Sequence, residues 1–116
     1  MTSAWVVRLG SMAEQDYAEI IRWTAKTFGV GQAEIYAQTI SLAIEALTNG
    51  PDILGTKARD DIEAGIRTLH IARGDRKGRH FVIFRTTNKH AIDVLRVLHD
   101  SMDFARHIPA ANDLLR

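Results

Sequence analysis

Apolar and polar positions change their period twice along the chain. Residues 4–9, AWVVRL, alternate for a few positions, which predicts a short strand. From residue 12 to 28 apolar residues recur every three or four positions, which predicts a helix that stops at Gly29. Ser11 and Glu14 have the spacing of a capping box, so this helix should start at Met12. A second helix is predicted from Gln32 to the breaker NGP at 49–51, and so short a link makes the pair an antiparallel hairpin.

The second half carries the shorter period of strands. Residues 51–64 show neither period and are expected to form a surface loop, and strand candidates follow at 65–72, 80–87 and 91–99. Their short links predict a three-stranded antiparallel meander. A short C-terminal helix with Asp103 at its N-cap, interrupted by Pro109, should follow, and residues 109–116 are a candidate flexible tail. The sequence therefore predicts one α+β domain over residues 1–116, in the order β-α-α-β-β-β.

Two of the predicted strands are apolar on both sides. Simple alternation assigns one face to His80, Val82, Phe84, Ile92, Val94 and Leu98, and the other face to Phe81, Ile83, Leu95 and Val97. Two helices can cover only one face of such a sheet. The second face must therefore be covered by the C-terminal tail, by another copy or by a different protein, because an open apolar face of that size favours association. Its four residues are candidates for binding a partner.

Composition limits the cellular compartment and the kinds of partner that are expected for this protein. The chain has no cysteine, which excludes disulfides and thiolate metal sites and fits a reducing cytoplasm. No apolar run reaches the roughly 18 residues of a membrane span, and the N-terminus lacks the basic start of a signal peptide, so we expect a cytoplasmic protein without a membrane partner. Residues 1–64 carry 5 Lys or Arg and 9 Asp or Glu, whereas residues 65–116 carry 10 and 5. The basic half could face nucleic acid or an acidic protein, although a solvated turn at 73–79 explains much of the excess.

The candidate chemistry lies on the predicted sheet. No histidine pair has helical metal-site spacing and no nucleotide fingerprint occurs, so neither a metal nor a cofactor is expected. Arg67, Arg85 and Arg96 lie inside strands, where they either pair with an aspartate of the same sheet (Asp93, Asp100 or Asp103) or form fixed guanidinium groups for phosphate or carboxylate. His99 as acid or base, with His80, Arg85 and Arg96 as cations, would suit phosphodiester cleavage. We favour the other interpretation, in which His99 and Asp103 close the corner after the last strand.

The element order, the runs RDDIEAGIRTLHI and GRHFVIFRT, and the ending VLRVLHDSMDFARHI together resemble the ParE branch of the RelE/ParE toxin superfamily. The resemblance spans roughly Trp5 to Ile108, and the ending is its most specific part. It implies the RelE/ParE-like fold and the toxin of a type II toxin–antitoxin pair, as in plasmid stabilisation systems. It also implies a small ParD-like antitoxin that wraps a C-terminal segment around the toxin and is itself the DNA-binding partner.

The superfamily divides by target. RelE-type members cut messenger RNA in the ribosome, whereas ParE-type members act on DNA gyrase and have no recognised active site. Where the nucleases carry an arginine early in the third strand this chain has His80, its RTLHIA strand has no lysine, and Ser101 stands where an arginine commonly precedes Met-Asp. The resemblance therefore implies a gyrase inhibitor rather than an enzyme, with Arg67 and Arg85 as further partner-binding candidates. The alternatives are a RelE-type endoribonuclease and a non-toxic relic that only binds an antitoxin.

Overall fold

The computed structural model describes residues 4–87 and 89–108 of the chain. Two helices pack on one face of a five-stranded mixed sheet, so the predicted α+β class and the helical hairpin are confirmed. The elements are β1 (Val6–Leu9), α1 (Ser11–Phe28), α2 (Val30–Ala46), β2 (Thr56–Ala58), β3 (Arg67–His70), β4 (His80–Thr87) and β5 (Ala91–His99), with 3₁₀ turns at Leu47–Asn49 and Phe104–Arg106. The predicted tail at 109–116 lies outside the described residues.

The helices begin earlier than the sequence pattern indicated. α1 begins at Ser11 after Gly10, and no side chain caps it, so the predicted capping box is wrong. The backbone of Gly10 takes its place: its N–H donates to the carbonyl of Val94 at 2.9 Å, and its carbonyl accepts the N–H of Glu14 at 3.0 Å. Gly29, with φ of 97°, ends α1 as predicted. It is also the single residue that links the two helices, because α2 begins at Val30.

The sheet holds two strands beyond the predicted meander. The strand order is β1-β5-β4-β3-β2, and the N-terminal strand β1 lies parallel to β5, with Val6 opposite Ala91. The expected loop at 51–64 contains β2, which pairs antiparallel with β3, so that part of the prediction is wrong. A strand of three residues is too short to show a period, which explains why the pattern did not reveal it.

The face assignment is right for β4 and partly wrong for β5. The register steps from Ile83 opposite Arg96 to Phe84 opposite Val94, which leaves Leu95 as an extra residue in β5. Such a bulge displaces the alternation by one position. As a result Val97 joins the helix-facing core and Leu98 joins the other face, the reverse of the prediction.

The chain itself covers both faces. The helix-facing core contains the buried residues Ala13, Ile40, Ala43, Leu47, Leu69, Ile71, Val82, Phe84, Ile92, Val94 and Val97. The second core contains Ile66, Ile83, Leu95, Leu98 and Phe104, with Ile62, Phe81 and Ile108 packed against them. In the folded chain the second face of the sheet is therefore covered by the C-terminal segment, which was one of the three possibilities, together with the 59–66 loop. Within the described part of the chain, no helix is long and apolar enough to cross a membrane.

Candidate functional site

Three histidines meet at one end of the sheet. His70 ends β3, His80 begins β4 and His99 ends β5, and antiparallel pairing brings these three positions to the same end. His80 lies opposite His99, with ring centroids 5.2 Å apart. Together with Arg79 and Asp100 we call these residues the histidine corner. Two of the catalytic candidates, His80 and His99, are thus neighbours, as the sequence interpretation required.

Tyr36 of α2 fixes the ring of His80. Its hydroxyl accepts the backbone N–H of Arg79 at 3.0 Å, so its own proton points to Nδ1 of His80, 2.5 Å away. Nδ1 is therefore an acceptor, and this network assigns the ring proton to Nε2. Burial, and next the neighbouring His99, lower the pKa of His80 to about 4. The ring is neutral at physiological pH, so His80 does not supply the cation that a phosphate would need.

Arg79 and Asp100 form the charged part of the corner. The guanidinium donates to both carboxylate oxygens, from Nε at 3.0 Å to Oδ2 and from Nη2 at 3.1 Å to Oδ1. These hydrogen bonds lower the pKa of Asp100 to about 2, and His70, whose Nε2 lies 3.4 Å from Oδ2, adds to the effect. The same pair raises the pKa of Arg79. The two charges therefore compensate each other at any physiological pH.

His99 closes the turn that leads out of β5. Its Nδ1 accepts the backbone N–H of Ser101 at 3.1 Å and lies 2.7 Å from the Ser101 hydroxyl. Its carbonyl accepts the N–H of Met102 at 3.0 Å, which completes a tight turn over residues 99–102. The side chain is 40% exposed, so solvent still reaches the ring. His99 therefore ties the turn to the end of β5, and its purely structural role stays a prediction.

Asp103 stands at the predicted N-cap, but its side chain makes no capping hydrogen bond. The helix after it is a single 3₁₀ turn, in which the N–H of Arg106 bonds to the Asp103 carbonyl at 3.2 Å. The carboxylate instead lies 3.4 Å from the guanidinium of Arg106. The capping part of the prediction is therefore wrong.

Arg67 and Arg85 pair with carboxylates that lie outside the strands. Arg67 donates to the carbonyl of Pro51 at 3.0 Å and pairs with Asp52 at 3.2 Å. Arg85 pairs with Glu63 at 3.5 Å. Of the two alternatives, pairing with aspartates of the sheet is therefore wrong for Arg67 and Arg85, because the segment after α2 and the 59–66 loop fold back along the strands and supply other carboxylates.

Arg96 joins α1, β5 and the C-terminal segment. It donates to Asp16 twice, at 2.7 Å from Nε and at 2.7 Å from Nη2, and its Nη1 donates to the carbonyl of His107 at 2.8 Å. Asp16 also accepts the N–H of Val97 at 3.0 Å. The pairing raises the pKa of Arg96. The sequence interpretation missed Asp16, because α1 carries three acids, Glu14, Asp16 and Glu19, and their spacing does not show which one is buried.

The other predicted site residues are dispersed. Arg85 lies opposite Asp93, toward the other end of β5 from His99, so it does not belong to the histidine corner. Of the partner-binding candidates, Ile83, Leu95 and Val97 are buried, and Phe81 is half-buried against the ring of Phe104, 5.4 Å away between centroids. Among the described residues no group of His, Asp or Glu is arranged to hold a metal ion.

The family model and the similar proteins all point to the same family. A family model described as the ParE toxin of type II toxin–antitoxin system, parDE, matches residues 7–104. Proteins named toxin ParE1 from two strains of Mycobacterium tuberculosis are 35% identical to this chain over 100 residues, which cover 86% of this chain and 94% of each relative. Toxin ParE1 of Caulobacter vibrioides is 28% identical over 101 residues, 87% of this chain and 95% of that protein.

Two solved structures share the fold. A chain of the chromosomal ParDE TA system from P. aeruginosa has a TM-score of 0.69 and 19% identity, with 84% of this chain and 98% of that chain covered. A chain of the toxin–antitoxin complex RelBE2 from Mycobacterium tuberculosis has a TM-score of 0.56 and 21% identity, with 85% and 94% covered. At these identities the likeness shows the fold alone, and the fold does not separate the two branches.

Proposed function

This chain belongs to the ParE family of toxins of type II toxin–antitoxin systems, and we propose that it inhibits DNA gyrase through protein–protein contact in the cytoplasm. The observation that carries the proposal is the match of the ParE family model to residues 7–104. ParE-type members of the superfamily act on gyrase. The toxin role follows from family membership, and the gyrase target is the part that we propose.

The ion pairs and the protonation state of the polar residues near the histidine corner support inhibition by protein–protein contact rather than catalysis. Cleavage of RNA by its 2′-hydroxyl needs a base, an acid and cations around the phosphate. Here the charge of Arg96 is balanced by Asp16 and that of Arg79 by Asp100. His80, with a pKa of about 4, is uncharged at neutral pH. Arg79, His80 and Arg96 therefore offer no free positive charge to a phosphate at the corner.

We further propose that a cognate, ParD-like antitoxin neutralises this toxin. Both solved neighbours come from toxin–antitoxin systems, which supports such a partner. Among the predicted contact residues, Phe81, Arg67 and Arg85 keep some exposed surface. Ile83 and Leu95 meet a partner only if the 59–66 loop or the C-terminal segment moves aside, and Val97 lies beneath the helices.

Expression of the toxin in growing cells, with and without the antitoxin, tests this function. A gyrase poison should induce the DNA-damage response while protein synthesis continues at first, and co-expressed antitoxin should suppress the response. An early stop in translation with loss of messenger RNA and without DNA damage would contradict the gyrase proposal. Normal growth at high toxin levels would favour the non-toxic relic.

One observation favours the endoribonuclease as second candidate. The exposed ring of His99 stands beside His80 at the end of the sheet, and an imidazole that solvent reaches is the commonest general acid or base. This function requires that His99→Ala abolish toxicity while the folded protein and its antitoxin binding persist. The contact mechanism requires that the same variant remain toxic.

A further inference from the structure

A cavity of about 310 Å³ opens between α2 and the turn that links β3 to β4. Thr39, Leu42 and Ala43 of α2 line one side. Ile71 and the turn at 73–76 line the other. The volume is at the lower end of the range for ligand-binding clefts, so the cavity suits one or two side chains rather than a large cofactor. We call it the turn cavity.

Arg76 lines this cavity without an ion pair to any carboxylate of the described residues. Its Nη1 donates to the hydroxyl of Thr39 at 3.1 Å and its Nη2 to the side-chain oxygen of Gln38 at 2.9 Å. Both partners are neutral, and they occupy two of the five N–H donors of the guanidinium. Arg73 also lines the cavity, and across residues 4–87 and 89–108 no ion pair includes Arg73 or Arg76. Asp75 is the single acid of the lining.

The wall beside these cations is apolar. Ile71 and Ala43 are buried, and Leu42, which is 43% exposed, stands at the rim on α2. Gly78 permits this arrangement, because a Cβ there would come within 2.6 Å of the Ile71 side chain. The turn itself is defined by the hydrogen bond from Arg76 N–H to the Arg73 carbonyl, 3.1 Å long. A fixed cation next to an exposed leucine is complementary to a segment that is both acidic and apolar.

We propose that the turn cavity is a contact site for the antitoxin, which places a carboxylate against Arg76 and Arg73 and an apolar side chain against Leu42. The proposal rests on the antitoxin partnership proposed above and is independent of the gyrase target. The turn at 73–79 carries four basic residues and one acid, and Asp100 compensates only Arg79. This surplus of positive charge selects an acidic segment, because complementary charge favours the correct partner and accelerates its association.

Arg76→Glu and Lys77→Glu test the site as a matched pair. Both change the charge of the same turn by the same amount, but only Arg76 lines the cavity. Binding of the antitoxin, purified from the reading frame that neighbours the toxin gene, would be measured by calorimetry in 0.15 M salt. Arg76→Glu should raise Kd by at least about 10-fold, whereas Lys77→Glu should raise it by less than about 3-fold, because exposed charges are screened. Equal weakening by both variants, or no effect of either, would overturn the proposal.

Arg76 also ties the turn to α2, so Arg76→Glu could weaken antitoxin binding only by loosening the turn. A second pair of variants separates this effect from the loss of a direct contact. Leu42→Asp opposes an incoming carboxylate and changes no residue of the turn, and Leu54→Asp, at a position that is 93% exposed and outside the cavity, is its control. Only Leu42→Asp should weaken antitoxin binding, again by about 10-fold. Wild-type toxin that binds antitoxin but leaves gyrase untouched would refute the target and leave this site intact. Wild-type toxin that does not bind the antitoxin would refute the site.

Discussion

The two faces of the sheet are covered by different kinds of structure. Two helices of 18 and 17 residues, joined by one glycine, cover the first face and bury a contiguous core around Phe84. The second face is closed by a loop at 59–66 and by a three-residue 3₁₀ turn that carries Phe104. A cover without regular secondary structure has fewer backbone hydrogen bonds of its own and opens at a lower free energy.

This difference bears on how a partner meets the toxin. Both strand faces are apolar, and the sequence alone left open whether the C-terminal tail, another copy or a different protein covers the second. In the folded chain that surface is already occupied, so an antitoxin either binds outside it or displaces the weaker cover. Arg96 links the two covers, because it holds Asp16 of α1 and the carbonyl of His107 at once.

The largest expected effect comes from truncating Phe84 at the centre of the helix-covered face, and Phe104 on the second face is its comparison. Phe84→Ala should destabilise the protein by about 4 kcal/mol, since Phe84 is 0% exposed and fixed by neighbours on both sides. Phe104→Ala should cost only about 2 kcal/mol, because Phe104 is 8% exposed and its short segment can collapse into the space. Urea unfolding at pH 7 measures both. Equal losses would contradict the distinction between the two covers.

Arg96→Met breaks the link between the covers. It leaves the carboxylate of Asp16 buried without its partner, so we expect a loss of about 3 kcal/mol in the free energy of unfolding. The double variant Asp16→Asn with Arg96→Met should be about 1 kcal/mol more stable than the single one, because the amide is neutral and still accepts from Val97 N–H. A double variant less stable than Arg96→Met alone would contradict this account.

Acid should weaken the histidine end of the sheet first. The pKa of His80 falls from 6.5 to about 4 on folding, so its neutral ring stabilises the fold above pH 6.5. This contribution is lost as the pH falls from 6.5 toward 4, whereas that of Asp100, with a pKa of about 2, is lost only below 3.8. Unfolding free energies between pH 7.5 and 4.5 should therefore decline, and His80→Gln should flatten the decline. An unchanged slope in that variant would assign the decline to another group.

The smallest effect concerns His99. His99→Ala removes an acceptor for the Ser101 N–H at an exposed turn, where water replaces it, so the loss should stay below about 1 kcal/mol. Thermal melting of the variant beside the wild type measures this loss. A loss comparable with that of Arg96→Met would mean that the corner is a major structural support.

The sequence was most informative where a long period repeats. The helical hairpin and the strands β3 to β5 follow from apolar spacing over many residues, and Gly29 stops α1 as predicted. Three features were not visible. β2 is too short to show a period, and the extra residue at Leu95 reverses the faces of Val97 and Leu98. The Asp16–Arg96 pair joins residues 80 positions apart, which local pattern does not report.

The sequence indicated the positions of some residues of the candidate site but not their partners. His80 and His99 lie at strand ends, as the sequence indicated, and the strand register brings them opposite each other. Their role as site residues stays a prediction. The arginine partners were misassigned, because loops rather than strands supply the carboxylates of Asp52 and Glu63. The protonation state of His80 depends on Tyr36 and on burial, which appear only in the folded chain.

The most direct test of the central claim is a gyrase supercoiling and DNA-cleavage assay with purified wild-type toxin and the His99→Ala variant side by side. We predict that cleaved DNA accumulates with both proteins, because inhibition acts by contact and the exposed ring of His99 is not needed for it. Gyrase left untouched by both proteins, with messenger RNA cut on translating ribosomes by the wild type alone, would contradict the account and assign the toxin to the nuclease branch.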